Sequence, residues 1–224
     1  MISVIIPTLN EEACIEKCIE SIRSAEMGCE IIVTDGGSKD RTREIAESYP
    51  EVRLIQSEAG RGNQMNSGAS HAQGDLLLFL HADTVLEEGW YDDIAAALRN
   101  GEIVGGAFTF AIDRPQRKYR IVESWVSMRC RIFKLPYGDQ AIFIRRSAFE
   151  KLSGYKNMPL MEDVDFVKRM KRLGRIAILQ KKAVTSGRRW VSKGLIRTAA
   201  INQMTMLLYH IGVSPHRLAR LYYR

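Results

Sequence analysis

Residues 76–84 read Leu-Leu-Leu-Phe-Leu-His-Ala-Asp-Thr, and the fold turns on how that stretch is interpreted. Leu76 to Leu80 form an unbroken apolar run between Asp75 and the polar group His81, Ala82, Asp83. A run of that length, cut off sharply on both sides, is the pattern of a central strand buried on both faces. The same pattern occurs upstream, with strands expected at Ile2–Ile6, Glu30–Thr34 and Val52–Gln56. Between them the period changes. Cys14, Ile15, Cys18, Ile19 and Ile22 recur at helical spacing, predicting a helix capped by Asn10 and running to about Ala25. A short helix is expected around Arg41–Ser48, and a loop and helix over Gly60–Gly74. Strands alternating with helices predict an α/β chain with a mostly parallel, doubly wound sheet flanked by helices, whose ligands gather beyond the carboxyl ends of the strands. Polar clusters stand there: Pro7–Glu11, Asp35–Asp40 and His81–Thr84 each begin where an expected strand stops.

Farther along, helices are expected at Glu88–Arg99 and Glu162–Leu173, and strands at Val104–Ile112, Ala141–Ile144 and Arg175–Leu179. Arg114–Lys134 reads as a basic helical arm carrying Trp125. Leu195–Val213 is mostly apolar, but Arg197, Asn202, Gln203 and His210 interrupt it, so it falls short of the roughly 20 apolar residues of a spanning helix.

A chain of 224 residues with 46% hydrophobic content suits one compact domain. Met1 leads directly into the first strand with no basic start or cleavage site, so a cytoplasmic location is expected. Cys14, Cys18, Cys29 and Cys130 show neither CxxC spacing nor a His partner, which argues against zinc and against a disulfide framework. The net charge of +7 hides an asymmetry: from Phe166 onward there are fourteen Lys and Arg and no Asp or Glu, leaving nineteen basic against twenty-six acidic residues before it. Such a tail favours anionic partners, namely diphosphates, phospholipid head groups or nucleic acid.

Taken together, SVIIPTLNEE, IIVTDGGSKDRT, LLLFLHADT and MEDVDF, in that order and at these spacings, resemble glycosyltransferase family 2, over about residues 2 to 190. Within it the chain is similar to a small soluble branch associated with radical-SAM and selenium-related genes. The resemblance implies a GT-A fold, with a nucleotide-binding half over about 1–100, an acceptor half over about 101–190 and a C-terminal basic helical extension over 191–224. It implies an inverting transferase that moves a sugar from a nucleotide-diphosphate donor of UDP or GDP type to a small-molecule or lipid-linked acceptor.

Each motif also has its own physical reading. Asp35, followed by Gly36 and Gly37, can present a carboxylate where backbone approaches a ligand closely. The resemblance assigns it to the nucleotide base, with Pro7, Thr8, Asn10 and Glu11 lining the same pocket; an Asx turn with a helix cap is the plain alternative. Asp83, a hard oxygen donor directly after a buried strand, suits Mg²⁺ or Mn²⁺, which takes one or two carboxylates and completes its shell from diphosphate and water. Here the chain departs from the family, because the usual acid-x-acid triplet is His81, Ala82, Asp83. His81 either contacts ribose or diphosphate, or packs. Arg61, in Gly60-Arg61-Gly62-Asn63, either sits on a flexible loop that reaches the donor phosphates or is solvated surface.

Glu162, Asp163 and Asp165 open a helix, where the dipole favours carboxylates in any case. Inverting transfer needs one carboxylate to accept the acceptor's proton, and by resemblance that base is Asp163, assisted by Glu162. Gly138, Asp139 and Gln140 are implied near the acceptor. Arg188 and Arg189 suit a diphosphate through forked donors, and Trp190 suits a wall of the acceptor site; a basic surface with a core Trp is the alternative. The basic tail can lie on an anionic membrane, pack its leucines on the domain, or join a second copy in a homodimer. Two rival functions are a sugar nucleotidyltransferase, against which Pro7–Glu12 lacks a glycine-rich loop, and a non-catalytic nucleotide-sugar or RNA-binding module. Nucleic acid is disfavoured because the strands read as buried on both faces.

Overall fold

A computed structural model describes residues 1–23 and 28–223. The expected end of the first helix near Ala25, and the terminal Arg224, lie outside the described residues.

Three strands at the amino end, β1 (Ile2–Thr8), β2 (Glu30–Asp35) and β3 (Val52–Gln56), pair in parallel, and β4 (Leu76–Phe79) adds to β1 in parallel. The sheet continues through β5 (Thr84–Leu86), β6 (Ile103–Ile112), β7 (Ile142–Arg145) and β8 (Arg175–Thr185), in the order β3-β2-β1-β4-β7-β6-β8-β5. The β6–β8 pairing is parallel, whereas β4–β7, β6–β7 and β5–β8 are antiparallel.

Alternation along the strands sorts the core into two layers. Val4, Ile6, Ile31, Val33 and Leu78 face helices α1 (Ile15–Arg23) and α4 (Trp90–Arg99), where Ile15, Ile19, Trp90 and Ile94 are buried. Ile5, Ile32, Leu77 and Phe79 point the other way, toward α3 (Arg61–His71) and α7 (Glu162–Leu173), meeting Met65, Ala69, Phe166 and Met170. Side chains at successive strand positions point to opposite faces, so strands apolar at every position must be covered on both sides. Gly68 lets α3 lie close to the sheet, since a Cβ there would stand 2.4 Å from Ile5 Cγ2.

The remaining helices are α2 (Thr42–Glu47), α5 (Arg117–Phe133), α6 (Arg146–Lys151), α8 (Arg188–Lys193), α9 (Leu195–His210) and α10 (Pro215–Tyr222). Leu218 of α10 is buried against Leu160, Met161 and Val164, so the end of the chain packs over the start of α7. Among the described residues, no helix is long and apolar enough to cross a membrane.

Some local expectations need correction. Asn10 does not cap α1: it has a left-handed backbone, φ 57°, and α1 begins five residues later. Its Oδ1 instead accepts the Lys39 N–H at 2.8 Å, tying the first loop to the second. Arg61 is the first residue of α3, not part of a loop. The last strand runs on to Thr185, because Phe110–Ile112 and β5 supply it with partners on both sides.

Candidate active site

Two clefts open beyond the carboxyl ends of β1 and β4, and they share Arg61, His81 and Asp83 as a common wall. The first, about 320 Å³, is lined by Pro7, Thr8, Glu11, Gln64, Ala82 and Glu162. The second, about 230 Å³, is lined by Asp139, Asp163, Trp190, Asn202 and Tyr222 among others.

Hydrogen bonds between loops hold the floor of the first cleft. The Asn10 N–H donates to Ser38 Oγ at 2.9 Å and the Glu11 N–H to Thr42 Oγ1 at 2.7 Å. Gln64 Nε2 donates to the Thr8 and Thr34 carbonyls at 2.7 and 2.8 Å, clamping the ends of β1 and β2. Asp35 is wholly buried, and its Oδ2 accepts the N–H groups of Gly37 at 2.9 Å and Ser38 at 3.0 Å. These bonds hold the turn through Gly36 and Gly37 at the end of β2, and none of the three residues lines either cleft.

On the shared wall, Arg61 Nε meets Glu162 Oε1 at 2.8 Å. Glu162 is buried, which pushes its carboxyl above the usual range against the pull of Arg61, and its Oε2 has no hydrogen-bond partner among the described residues. Burial, together with the nearby Arg61 charge, lowers the His81 pKa and favours the neutral ring. Asp83 is one-quarter exposed, with Arg188 Nη2 3.5 Å from its Oδ2. The same guanidinium bonds Glu11 Oε2, so Arg188 joins the two acids from outside the clefts. Among the described residues no group of three or more His, Cys, Asp and Glu is placed to hold a metal.

In the second cleft, Asp163 Oδ2 accepts the Gly138 N–H at 2.7 Å, and Oδ1 accepts the Val164 N–H at 2.8 Å. Gly138 has no room for a side chain, because a Cβ would stand 2.9 Å from His81 Nε2 and 3.2 Å from Asp163 Oδ2. Asp139 is pushed up to about 6 by burial, against the attraction of Arg129, and its buried Oδ1 lacks a partner among the described residues. Gln140 is buried and does not line the second cleft, although its neighbour Asp139 does. Its Nε2 donates to the Phe108 carbonyl at 2.9 Å, while Oε1 accepts from Arg129, Cys130 and the Tyr137 N–H. Arg189 lies 4.3 Å from the Tyr222 ring and Trp190 packs beside Phe110 and Ile112, both also lining this cleft.

A model of glycosyl transferase family 2 matches residues 3–153. The chain belongs to this family. Among family 2 relatives, it is 33% identical over 175 residues to a PGL/p-HBAD biosynthesis glycosyltransferase of Mycobacterium bovis, covering 74% of this chain and 68% of that one. S. aureus TarS in complex with UDP-GlcNAc superposes with a TM-score of 0.62 at 20% identity, covering 83% of this chain and 58% of the TarS chain. The mannosyltransferase PcManGT of Pyrobaculum calidifontis, in complex with GDP-Man and Mn²⁺, gives 0.64 at 19% identity over 99% of this chain and 68% of that one. At these identities the structural likeness speaks for the fold, which is GT-A.

Against that family pattern, several site residues escaped the motif reading. Gln64, Asn202 and Tyr222 carry no motif of their own. Gln64 could have been suspected as a polar residue on the buried face of α3; nothing in the sequence signalled the other two.

Proposed function

We propose that the chain transfers a glycosyl group, with inversion, from a nucleotide-diphosphate sugar of UDP or GDP type to an acceptor hydroxyl. The observation that carries this reading is the wall shared by the clefts, where Arg61, His81 and Asp83 stand between a nucleotide-sized space and a space holding Asp163. The donor would lie with its nucleotide toward Pro7, Thr8 and Glu11 and its diphosphate toward Asp83. The named ligands of the structural neighbours, UDP-GlcNAc and GDP-Man with Mn²⁺, agree with such a donor.

The acceptor oxygen attacks the anomeric carbon while its proton passes to Asp163, and the bond from that carbon to the diphosphate oxygen breaks with its electron pair leaving on the nucleotide. Asp163 can take this part because the Gly138 and Val164 N–H groups fix its carboxylate at the edge of the cleft. Glu162 holds Arg61 toward the phosphates. Asp139 and Trp190 wall the space that receives the acceptor or the transferred sugar. Arg188 and Arg189 add positive charge beside the diphosphate.

A divalent cation fits this site. Mg²⁺ or Mn²⁺ needs only one or two protein carboxylates when diphosphate and water complete its shell, and Asp83 offers one at the junction of the clefts. When bound, the cation supplies charge neutralisation at the leaving diphosphate. The acceptor is a small molecule or a lipid-linked hydroxyl, met in a half made of residues 101–190 together with the tail.

The test is thermal stabilisation of the chain by UDP- and GDP-sugars with and without Mn²⁺, since a ligand selective for the folded state raises the melting temperature. One donor series should shift it by several degrees with Mn²⁺, and Asp83→Ala should abolish the metal dependence. If no nucleotide sugar shifts the wild type, the reading fails.

A further inference from the structure

Helix α5 turns a strip of apolar side chains outward. Ile121, Trp125, Met128 and Ile132, spaced by four, three and four residues, are between 49% and 64% exposed. The helix does not need this strip for its own packing, because its other side, with Tyr119, Val122 and Val126, already packs against Phe110 and Ile112 of the sheet. Its charges are one-sided too. Glu123, the acid of α5, is turned inward, where Oε1 accepts the Ile112 N–H at 2.7 Å and Oε2 meets Arg120 at 2.9 Å. Arg117 and Lys118 at one end, and Arg131 and Lys134 at the other, remain exposed.

Helix α9 repeats the arrangement beside the acceptor cleft. Thr198, Asn202 and Thr205 line the cleft, while Ile196, Met204 and Leu207, with Ile211 just past the helix end, stand outward with exposures from 57% to 83%. Leu195, at the start of α9, packs against the same cluster of Phe110, Ile112 and Tyr119 as Val122 and Val126 of α5.

Apolar strips rimmed by Lys and Arg have two natural occupants, a second copy of the chain or an anionic lipid surface. Charge separates them. A second copy packed through the same strip would set Arg117, Lys118, Arg131 and Lys134 against their own like charges, whereas acidic lipids attract that rim, each cation near such a surface favouring binding by about fivefold. We propose that α5 docks on an anionic bilayer, its strip sunk among the lipid head groups and its Lys and Arg paired with lipid phosphates. Docking would bring the membrane to the acceptor side of the molecule.

The full chain should be floated with vesicles of phosphatidylcholine, and with vesicles containing roughly one-third phosphatidylglycerol, beside Trp125→Glu and Ile132→Glu variants. Both positions are exposed, so an unchanged melting temperature serves as the folding control. The wild type should float with the anionic vesicles and not the neutral ones, release in high salt, and lose about tenfold in binding with either substitution. Failure to float with anionic vesicles, equal flotation of the variants, or equal flotation on neutral vesicles would overturn the proposal. So would a dimer in analytical ultracentrifugation that Trp125→Glu dissociates, since the strip would then belong to a second copy. Nucleotide-sugar stabilisation of the same samples separates the two ideas: a donor shift without flotation sinks only the docking, and flotation without a donor shift sinks only the transferase reading.

Discussion

The cleft proposed for the donor and the one proposed for the acceptor are made differently. In the first, neighbouring strand ends and the loops after them are stitched by backbone-directed bonds, as in Asn10 to Ser38 and Lys39, Glu11 to Thr42, and Gln64 to two carbonyls. In the second, side chains from five separate segments converge: Asp139, Asp163, Trp190, Asn202 of α9 and Tyr222 of α10. A floor of parallel strand ends is fixed by the sheet itself, while the second cleft exists only when α9 and α10 have packed. The first is therefore expected to be rigid and general, and the second to set what is accepted.

The strongest challenge to this division is Asp163→Asn. If the second cleft holds the base, turnover should fall by about 10²–10⁴ while the donor's stabilising effect is unchanged, as direct donor binding and a turnover assay would reveal. Gly138→Ala comes next. Its methyl group would press on His81 and Asp163 together, so a drop in turnover of at least about tenfold is expected, again with donor affinity largely kept. A loss of donor binding in either variant would mean that the clefts do not divide the work.

Gln64→Leu should act on the other side. Removing both bonds to the buried carbonyls should cost about 1–3 kcal/mol in chemical denaturation and weaken the donor, leaving acceptor KM little changed. Asp139→Asn sharpens the electrostatic side of the comparison. The folded pKa is raised from an ordinary carboxyl to about 6, so the wild type holds its full stability below about pH 3.8 and loses the difference as pH rises through 6. The permanently neutral Asn should melt a few degrees higher than wild type at pH 8 and alike at pH 4. Tyr222→Ala should have the smallest effect, a rise of a few fold in acceptor KM with donor affinity intact, because it removes one wall of the second cleft and no charge.

The two regions were also unequally legible. Leu76–Phe79 and Glu162–Leu173 could be read directly, since an apolar run flanked by polar residues and a helical period are properties of a few adjacent residues. Pro7, Thr8, Glu11, Ala82 and Asp83 were recognisable for the same reason, each lying at or just beyond the end of such a run. β5 was missed because Thr84–Leu86 is three residues long and owes its strand form to pairing with β8, more than ninety residues away. The bonds of Gln140 were not legible, because the groups it satisfies, the Phe108 carbonyl and the Arg129 side chain, cannot be seen from its own neighbourhood.

By itself, then, the sequence determined the strands, the helices that cover both of their faces, and the edge of the sheet where polar residues collect, all through local period and burial. Only the tertiary structure decided that Gln64 clamps the ends of β1 and β2, that Arg61 is held by Glu162, and that Tyr222 closes a cleft around Asp139 and Asp163. The last of these depends on Leu218 burying itself against Leu160, Met161 and Val164, a contact between remote segments whose free energy comes from apolar surface removed from water and leaves no periodic mark along the chain.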